Sequence, residues 1–256
     1  MTSGNTQNAH QSIGIIGVGA FGEFMLKYLI PYFNVRVYDA HRDLSSVTQL
    51  YNVELADLDR ICSSDIVVLC VPVVHLRDVV MGIKDKLKTG QLVIDLCSVK
   101  VNPVKTLVEL LPKDTEILSI HPLFGPQSGK NGIHGLNITV CDLGRSPRKN
   151  CICEFLAHRL GLNVHETTPE QHDREMAYVQ GLTHMIAKVF ARMDVPAIHQ
   201  KTRTYTLLDE MVEMIRYDSD ELFLAIQRDN PYVEHTKELF FDAVKDLEEK
   251  LKAAKI

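Results

Sequence analysis

The sequence predicts an α/β protein: a doubly wound, mostly parallel sheet over residues 12–166, followed by an all-helical segment over 167–256. Three observations lead there. Short apolar runs (Ile66–Val71, Leu92–Leu96, Ile117–Ile120) read as strands buried on both faces, as parallel strands are. Helical patterns alternate with such runs as far as His165, the order expected of a doubly wound sheet. From Thr168 onward the periodicity is helical and no stretch reads as a strand.

In order, Ser12–Ile16 is the first expected strand, then a helix from Phe21 to about Ile30, ended by Pro31. Val35–Tyr38 is the second strand. A short helix is expected near Leu55–Ile61, a strand at Ile66–Val71 and a helix over Val74–Leu87. After the Leu92–Leu96 strand, Asn102-Pro103 opens a helix over Val104–Leu111, with proline in the first turn where it costs no hydrogen bond. Asn137–Cys141 is a further strand. Ser146-Pro147 suits an N-cap and first turn, Gly161 a C-terminal stop, and Leu162–His165 a last strand. Thr168-Pro169-Glu170-Gln171 has the form of a capping box. Beyond it, Val179, Leu182, Ile186, Val189, Phe190 and Met193 form one apolar face, while His172, Met176, Gln180 and His184 recur every four residues on another. Further helices are expected over Arg203–Arg216, Asp220–Gln227 and Val233–Ala254.

The first strand runs into Gly17-Val18-Gly19-Ala20-Phe21-Gly22, and the second ends at Asp39, 22 residues after Gly17. Strand, G-x-G-x-x-G, helix, strand, acid is the layout of a Rossmann-type dinucleotide site. The first glycine allows the tight turn, the second close approach of backbone to a pyrophosphate, the third close packing of the helix; the helix N-terminus then faces the phosphates. Val71-Pro72 ends another strand on the same side. A carboxylate at Asp39 accepts from a ribose 2′-hydroxyl and repels a 2′-phosphate, which favours NAD; His41 and Arg42 nearby leave NADP as the alternative.

Composition narrows the function classes. Of 256 residues, 45% are apolar and 24% charged, as in an ordinary globular protein. The net charge of −5, with no basic run, argues against nucleic acid as a partner. No apolar stretch reaches the roughly 18 residues of a membrane span, and Met1–Gln11 is polar, so it reads as a disordered tail and not as a secretory signal. The six cysteines include Cys151-Ile152-Cys153, a C-x-C and not a C-x-x-C. Structural thiols, no metal and a cytoplasmic location are the expectation.

Two strands end abruptly in polar groups: Ile94-Asp95-Leu96-Cys97-Ser98-Val99-Lys100 and Ile120-His121-Pro122-Leu123-Phe124-Gly125-Pro126-Gln127-Ser128-Gly129. Open α/β sheets hold ligands beyond the carboxyl ends of their strands. Ser98, Lys100, His121 and Gln127 would converge there.

These same stretches resemble the prephenate/arogenate dehydrogenases of tyrosine biosynthesis, most of all the plant-type arogenate dehydrogenases. The resemblance rests on "SVK" at Ser98–Lys100 and "HPLFGPQSG" from His121. It continues through Lys130-Asn131-Gly132, Gly135-Leu136, Glu170-Gln171-His172-Asp173 and Thr183-His184, covering Ser12 to about Asn230. It implies oxidative decarboxylation of a small dianionic cyclohexadienol, with hydride passing to a nicotinamide. His121 stands at the family's catalytic histidine, and an imidazole is a suitable base near neutral pH. Ser98 is expected to bond the substrate hydroxyl or the nicotinamide, a turn serine being the other reading. Lys100 is read either as a partner for a substrate carboxylate or as a surface lysine. Gln127 matches a position that takes a polar residue near the substrate, or is a loop amide; His184 matches the helix histidine that faces the substrate, or is structural, and Gln180 shares its stripe as a further substrate-binding candidate.

Many bacterial members clamp a substrate carboxylate with an arginine, where this chain has Thr206 and Met214; Lys201 or Arg203 is the expected substitute. Asp218 matches an acid that favours arogenate by pairing with its ammonium, or is an N-cap. His172 and Asp173 are expected to fix a helix start. Plant relatives carry a transit peptide, for which eleven residues are too few. The family dimerises through its helical part, so a homodimer is expected. Another 3-hydroxyacid-dehydrogenase-like enzyme would need a catalytic lysine on a C-terminal helix, which has no clear equivalent here. A non-catalytic NAD-binding regulator would bind cofactor without turnover.

Overall fold

The computed structural model describes residues 11–254, so the expected tail lies, apart from Gln11, outside the described residues. The chain runs β1 (Ser12–Ile16), α1 (Ala20–Leu29), β2 (Asn34–Tyr38), α2 (Ser45–Tyr51), β3 (Glu54–Leu55), α3 (Leu58–Cys62), β4 (Ile66–Leu69), α4 (Val73–Ile83), β5 (Leu92–Asp95), α5 (Val101–Leu110), β6 (Glu116–Pro122), β7 (Asn137–Cys141), α6 (Lys149–Glu154) and β8 (Asn163–Thr167). Helices follow: α7 (Pro169–Met176), α8 (Thr183–Arg192), α9 (Arg203–Ile215), α10 (Asp220–Leu224) and α11 (Val233–Ala253). Single π turns extend α6 (Phe155–Arg159), join α7 to α8 (Ala177–Leu182) and extend α10 (Ala225–Asp229).

The strands form one sheet in the order β3-β2-β1-β4-β5-β6-β7-β8. Its central strands alternate between two cores. Ile15, Val68, Ile94 and Leu118 point to one face, under Leu26 of α1 and Val47 of α2. Ile16, Val67, Val93 and Ile117 point to the other, under Leu76 and Val80 of α4 and Leu107 of α5. Burial on both faces explains the unbroken apolar runs. The α/β fold class is thus observed, with helices alone after β8.

Several local expectations are corrected. The sequence pattern does not announce α2 or β3. α5 starts at Val101, and α6 at Lys149, not at Ser146. The N-cap of α6 is Arg148, and Ser146, three residues before the helix, donates its hydroxyl to the Glu116 carboxylate at 3.0 Å. β7 runs antiparallel to β6, although its other neighbour β8 is parallel to it. At α7, Thr168 caps Gln171 N at 3.2 Å, but Gln171 bonds Glu175 at 2.7 Å and does not complete the box.

Candidate active site

The strand order reverses between β1 and β4, the switch point at which open sheets hold ligands. Gly17, at φ +94°, turns the chain there; a Cβ on it would lie against the Cys70 carbonyl, so only glycine fits. A Cβ at Gly22 would strike the Gly17 carbonyl, whereas nothing lies within 4 Å of one at Gly19. The loop therefore leaves open space above Gly19 and exposed Ala20, at an α1 N-terminus that no side chain caps. Phe21 packs its ring with Phe24 and Phe124. Val71 and Pro72, the N-cap of α4, border the turn.

Asp39 closes this group. Its Oδ2 accepts from Val18 N at 2.8 Å, and its Oδ1 from His41 N and Arg42 N, both at 2.9 Å. Partial burial raises its pKa, but these three bonds outweigh that and hold the carboxyl below the usual range. A carboxylate offers about four lone-pair positions, so one remains for a ribose hydroxyl. Arg42 reaches back to the Val18 carbonyl and to Glu23, both at 2.6 Å. These residues fit a dinucleotide.

Lys100 requires correction. It is fully buried, with Nζ on Asp95 Oδ2 at 2.7 Å and on the Ile120 carbonyl at 2.9 Å. Ser119 also donates to Asp95 Oδ2, at 2.7 Å. The lysine is neither a surface cation nor a group turned toward a substrate. Its ammonium neutralises a buried acid and ties β5 to β6. Burial raises the Asp95 pKa, but Lys100 brings it below the ordinary value.

His121, near the end of β6, is 3% exposed. Its Nδ1 lies 2.8 Å from Nε2 of His172, whose Nδ1 lies 2.8 Å from Asp173 Oδ1. The Asp173 carboxylate also accepts from Lys100 N at 2.8 Å and Val101 N at 2.9 Å. It thus caps α5 from across the interface, an anion at a helix N-terminus. Asn230 bonds the Asp173 carbonyl at 2.8 Å. Expected only to start their own helix, His172 and Asp173 instead join three segments under the site. Burial first, then the repulsion a second cation would meet beside His172 and Lys100, push the His121 pKa well below the imidazole range. His121 is therefore a neutral imidazole, and its Nε2 has no partner among the described residues yet is not sealed from solvent.

The π turn brings the next group into line. Twelve residues of regular helix would leave His172 and His184 about 120° apart; one extra residue in a wide turn removes roughly 100° of that. Both are accordingly buried, at 1% and 8% exposure. The Gly181 carbonyl in that turn takes the Gln227 amide at 2.7 Å. Gln180 Oε1, His184 Nδ1 and Gln227 Oε1 are buried without a hydrogen-bond partner. Such groups are costly unless something supplies the missing bond, so these three atoms have hydrogen-bonding capacity to spare at one place. Asp218 Oδ2 lies 3.7 Å from His184 Nδ1, too far for a hydrogen bond. Burial raises the Asp218 pKa and drops that of His184 to about 4. Ser219, not Asp218, caps α10, bonding Leu222 N at 3.1 Å.

Ser98 is half-buried between Cys97 and Lys100, with no hydrogen bond from its hydroxyl to any described residue. Gln127 is exposed on the loop after β6. Lys201 and Arg203 are not drawn into the cluster: each pairs with an acid of α9, Asp209 at 2.7 Å and Glu210 at 3.9 Å. His172, Asp173, Asp95 and Gln227 are the residues that sequence reasoning missed. The signal for one was present, since an acid inside the run Leu92–Leu96 needs a buried cation.

Comparison with known proteins agrees with this fold. The family profile described as prephenate dehydrogenase, nucleotide-binding domain, matches residues 34–138. Arogenate dehydrogenase 1, chloroplastic, of Arabidopsis thaliana is 28% identical over 93% of this chain and 39% of its own length. Arogenate dehydrogenase 2, chloroplastic, from the same plant is 30% identical over 86% of the chain and 64% of its own length. The chain thus spans less than two thirds of either. Prephenate dehydrogenase from Aquifex aeolicus superposes with a TM-score of 0.76 at 22% identity, over 96% of this chain and 94% of that one. The same enzyme in complex with hydroxyphenyl propionate and NAD+ gives 0.73 at 20% identity, over 98% and 94%.

Proposed function

This chain belongs to the prephenate/arogenate dehydrogenase family, and we propose that it carries out oxidative decarboxylation of arogenate to tyrosine or of prephenate to 4-hydroxyphenylpyruvate. The observation that carries the proposal is the neutral, buried His121 with a free Nε2, one strand from Ser98 and on the carboxyl side of the sheet that bears the glycine turn. The reaction takes a hydride from the carbinol carbon and a proton from its hydroxyl, and releases the ring carboxylate as carbon dioxide; the electron pair left behind makes the ring aromatic, and the ring oxygen takes the proton back to become the phenol. NAD, with NADP as the alternative, supplies the hydride acceptor when bound, held by Gly17, Gly19, Ala20, Phe21, Gly22, Asp39, Val71, Pro72 and Ser98. His121 takes the hydroxyl proton at Nε2. Ser98 donates to the substrate and fixes its approach. Gln127, Gln180 and His184 bind the substrate's polar groups. Asp218 beside His184 supports arogenate, whose ammonium an acid attracts. The unpaired state of all six cysteines supports a reducing, cytoplasmic setting.

The test is formation of reduced nicotinamide with prephenate or arogenate, each with NAD or NADP. We expect turnover with arogenate and NAD in the best pair. Silence in all four, with cofactor binding intact by titration, overturns the proposal.

Asp39→Asn keeps an acceptor for Val18 N but removes the charge that repels a 2′-phosphate; the preference for NAD over NADP in kcat/KM is expected to fall roughly tenfold. An unchanged ratio would take Asp39 out of cofactor choice. We also propose that α11 pairs with a second copy of this chain. Val244, Leu247 and Leu251 are 47%, 59% and 60% exposed and, with Phe240, follow the four-three-four spacing of a helix-pairing seam. Sedimentation is expected to give a dimer for the native chain and a monomer for Leu247→Lys with Leu251→Lys. A native monomer defeats the pairing.

A further inference from the structure

Asp173 is an acceptor only when ionised, and its Oδ1 already takes Lys100 N at 2.8 Å. The nitrogen that faces the same oxygen at 2.8 Å, His172 Nδ1, must therefore carry a hydrogen. Burial lowers the His172 pKa despite Asp173, so the ring is neutral and its Nε2 holds a lone pair. That lone pair faces His121 Nδ1 at 2.8 Å, and a contact this short requires a hydrogen on Nδ1. A neutral imidazole carries one hydrogen, and the bond made by one ring nitrogen decides the state of the other. His121 Nε2 is left bare, toward the site.

We propose that Asp173 and His172 are positioning residues that hold His121 in its Nδ1-protonated tautomer and so make Nε2 the base. The inference rests on the dehydrogenase reading above, and it assigns roles to two residues beyond the group that meets substrate. When the substrate O–H bond breaks, its proton forms the N–H bond at His121 Nε2. The resulting imidazolium keeps its Nδ1–H on His172, and the anionic Asp173 behind it offsets the new charge. Lys100, whose ammonium is already neutralised by Asp95, stays outside this chain. The His172 ring is held in place, since it is 1% exposed and Asp173 is pinned by the backbone of α5.

Nitrogen-15 NMR of the histidine-labelled whole chain reads the tautomer without turnover, with the His121 signals identified by their loss in His121→Asn. The native protein at neutral pH is expected to show hydrogen on Nδ1 and none on Nε2; hydrogen on Nε2 overturns the proposal. His172→Phe keeps a ring but offers no acceptor. It is expected to move the hydrogen to Nε2 and to lower kcat by about 10²–10⁴-fold, with KM held within about threefold. His172→Gln presents an amide oxygen to Nδ1 and is expected to restore the tautomer and at least roughly tenfold of the lost kcat. If His172→Phe retains kcat, or if His172→Gln is as slow while the tautomer never changes, the relay is refuted. A native protein without turnover on any substrate pair would sink the dehydrogenase reading separately, and the NMR result would still decide the tautomer.

Discussion

His121→Asn is expected to lower kcat by about 10²–10⁴-fold, the range that one well-placed general base contributes. Cofactor affinity should be unchanged by titration, because the glycine turn and Asp39 are separate groups just beyond β1 and β2. The pH dependence follows from burial. A histidine whose folded pKa lies below 6.5 remains a base as pH falls through 6.5, so log kcat/KM is expected to stay level there and to bend down only in more acid solution. A bend at 6.5 or above would mean that an exposed group is the base. Stability moves with the same sign. Where the unfolded chain binds protons that the folded one refuses, stability is present above the unfolded pKa and is lost as pH falls. For His184 that window runs from 6.5 to about 4, so the protein is expected to lose denaturant resistance across it, and His184→Gln to lose less.

The parts of the site made by one strand end and the turn after it were legible in sequence. Gly17, Gly19, Gly22 and Asp39 follow from local geometry, and His121 and Ser98 from the abrupt ends of two apolar runs. The parts made by tertiary pairing were not. His172 and Asp173 sit where a capping pattern explains them alone, and their partners lie 51 and 73 residues away. The direction of β7 does carry a signal in the chain. A parallel neighbour needs a crossover, usually a helix. The segment from Leu123 to Leu136 carries four glycines and no helix, which favours an antiparallel return. The register of His184 needed the π turn, which no propensity marks. Gly181 and the amide of Gln227, 46 residues on, are what stabilise it.

Lys100 gives the second large effect and separates a structural from a binding role. An isolated buried charge costs far more than a buried pair gains, so removing either partner of Asp95–Lys100 is expected to cost about 3–5 kcal/mol. In a chain of this length that lowers Tm by roughly 10 °C, measured by calorimetry on Lys100→Met or Asp95→Asn. Lys100→Met with Asp95→Leu removes both charges and is expected to recover most of the loss. Lys100→Arg is not a rescue, since the cavity that fits one ammonium between Asp95 and the Ile120 carbonyl does not fit a planar fork. Activity should fall with stability, because the lost side chain grips the carbonyl of Ile120, the residue before His121. A lysine that bound a substrate carboxylate would behave otherwise: its methionine variant would raise KM and leave Tm where it was. Burial at 0% exposure, with two short bonds already made, argues for the first outcome.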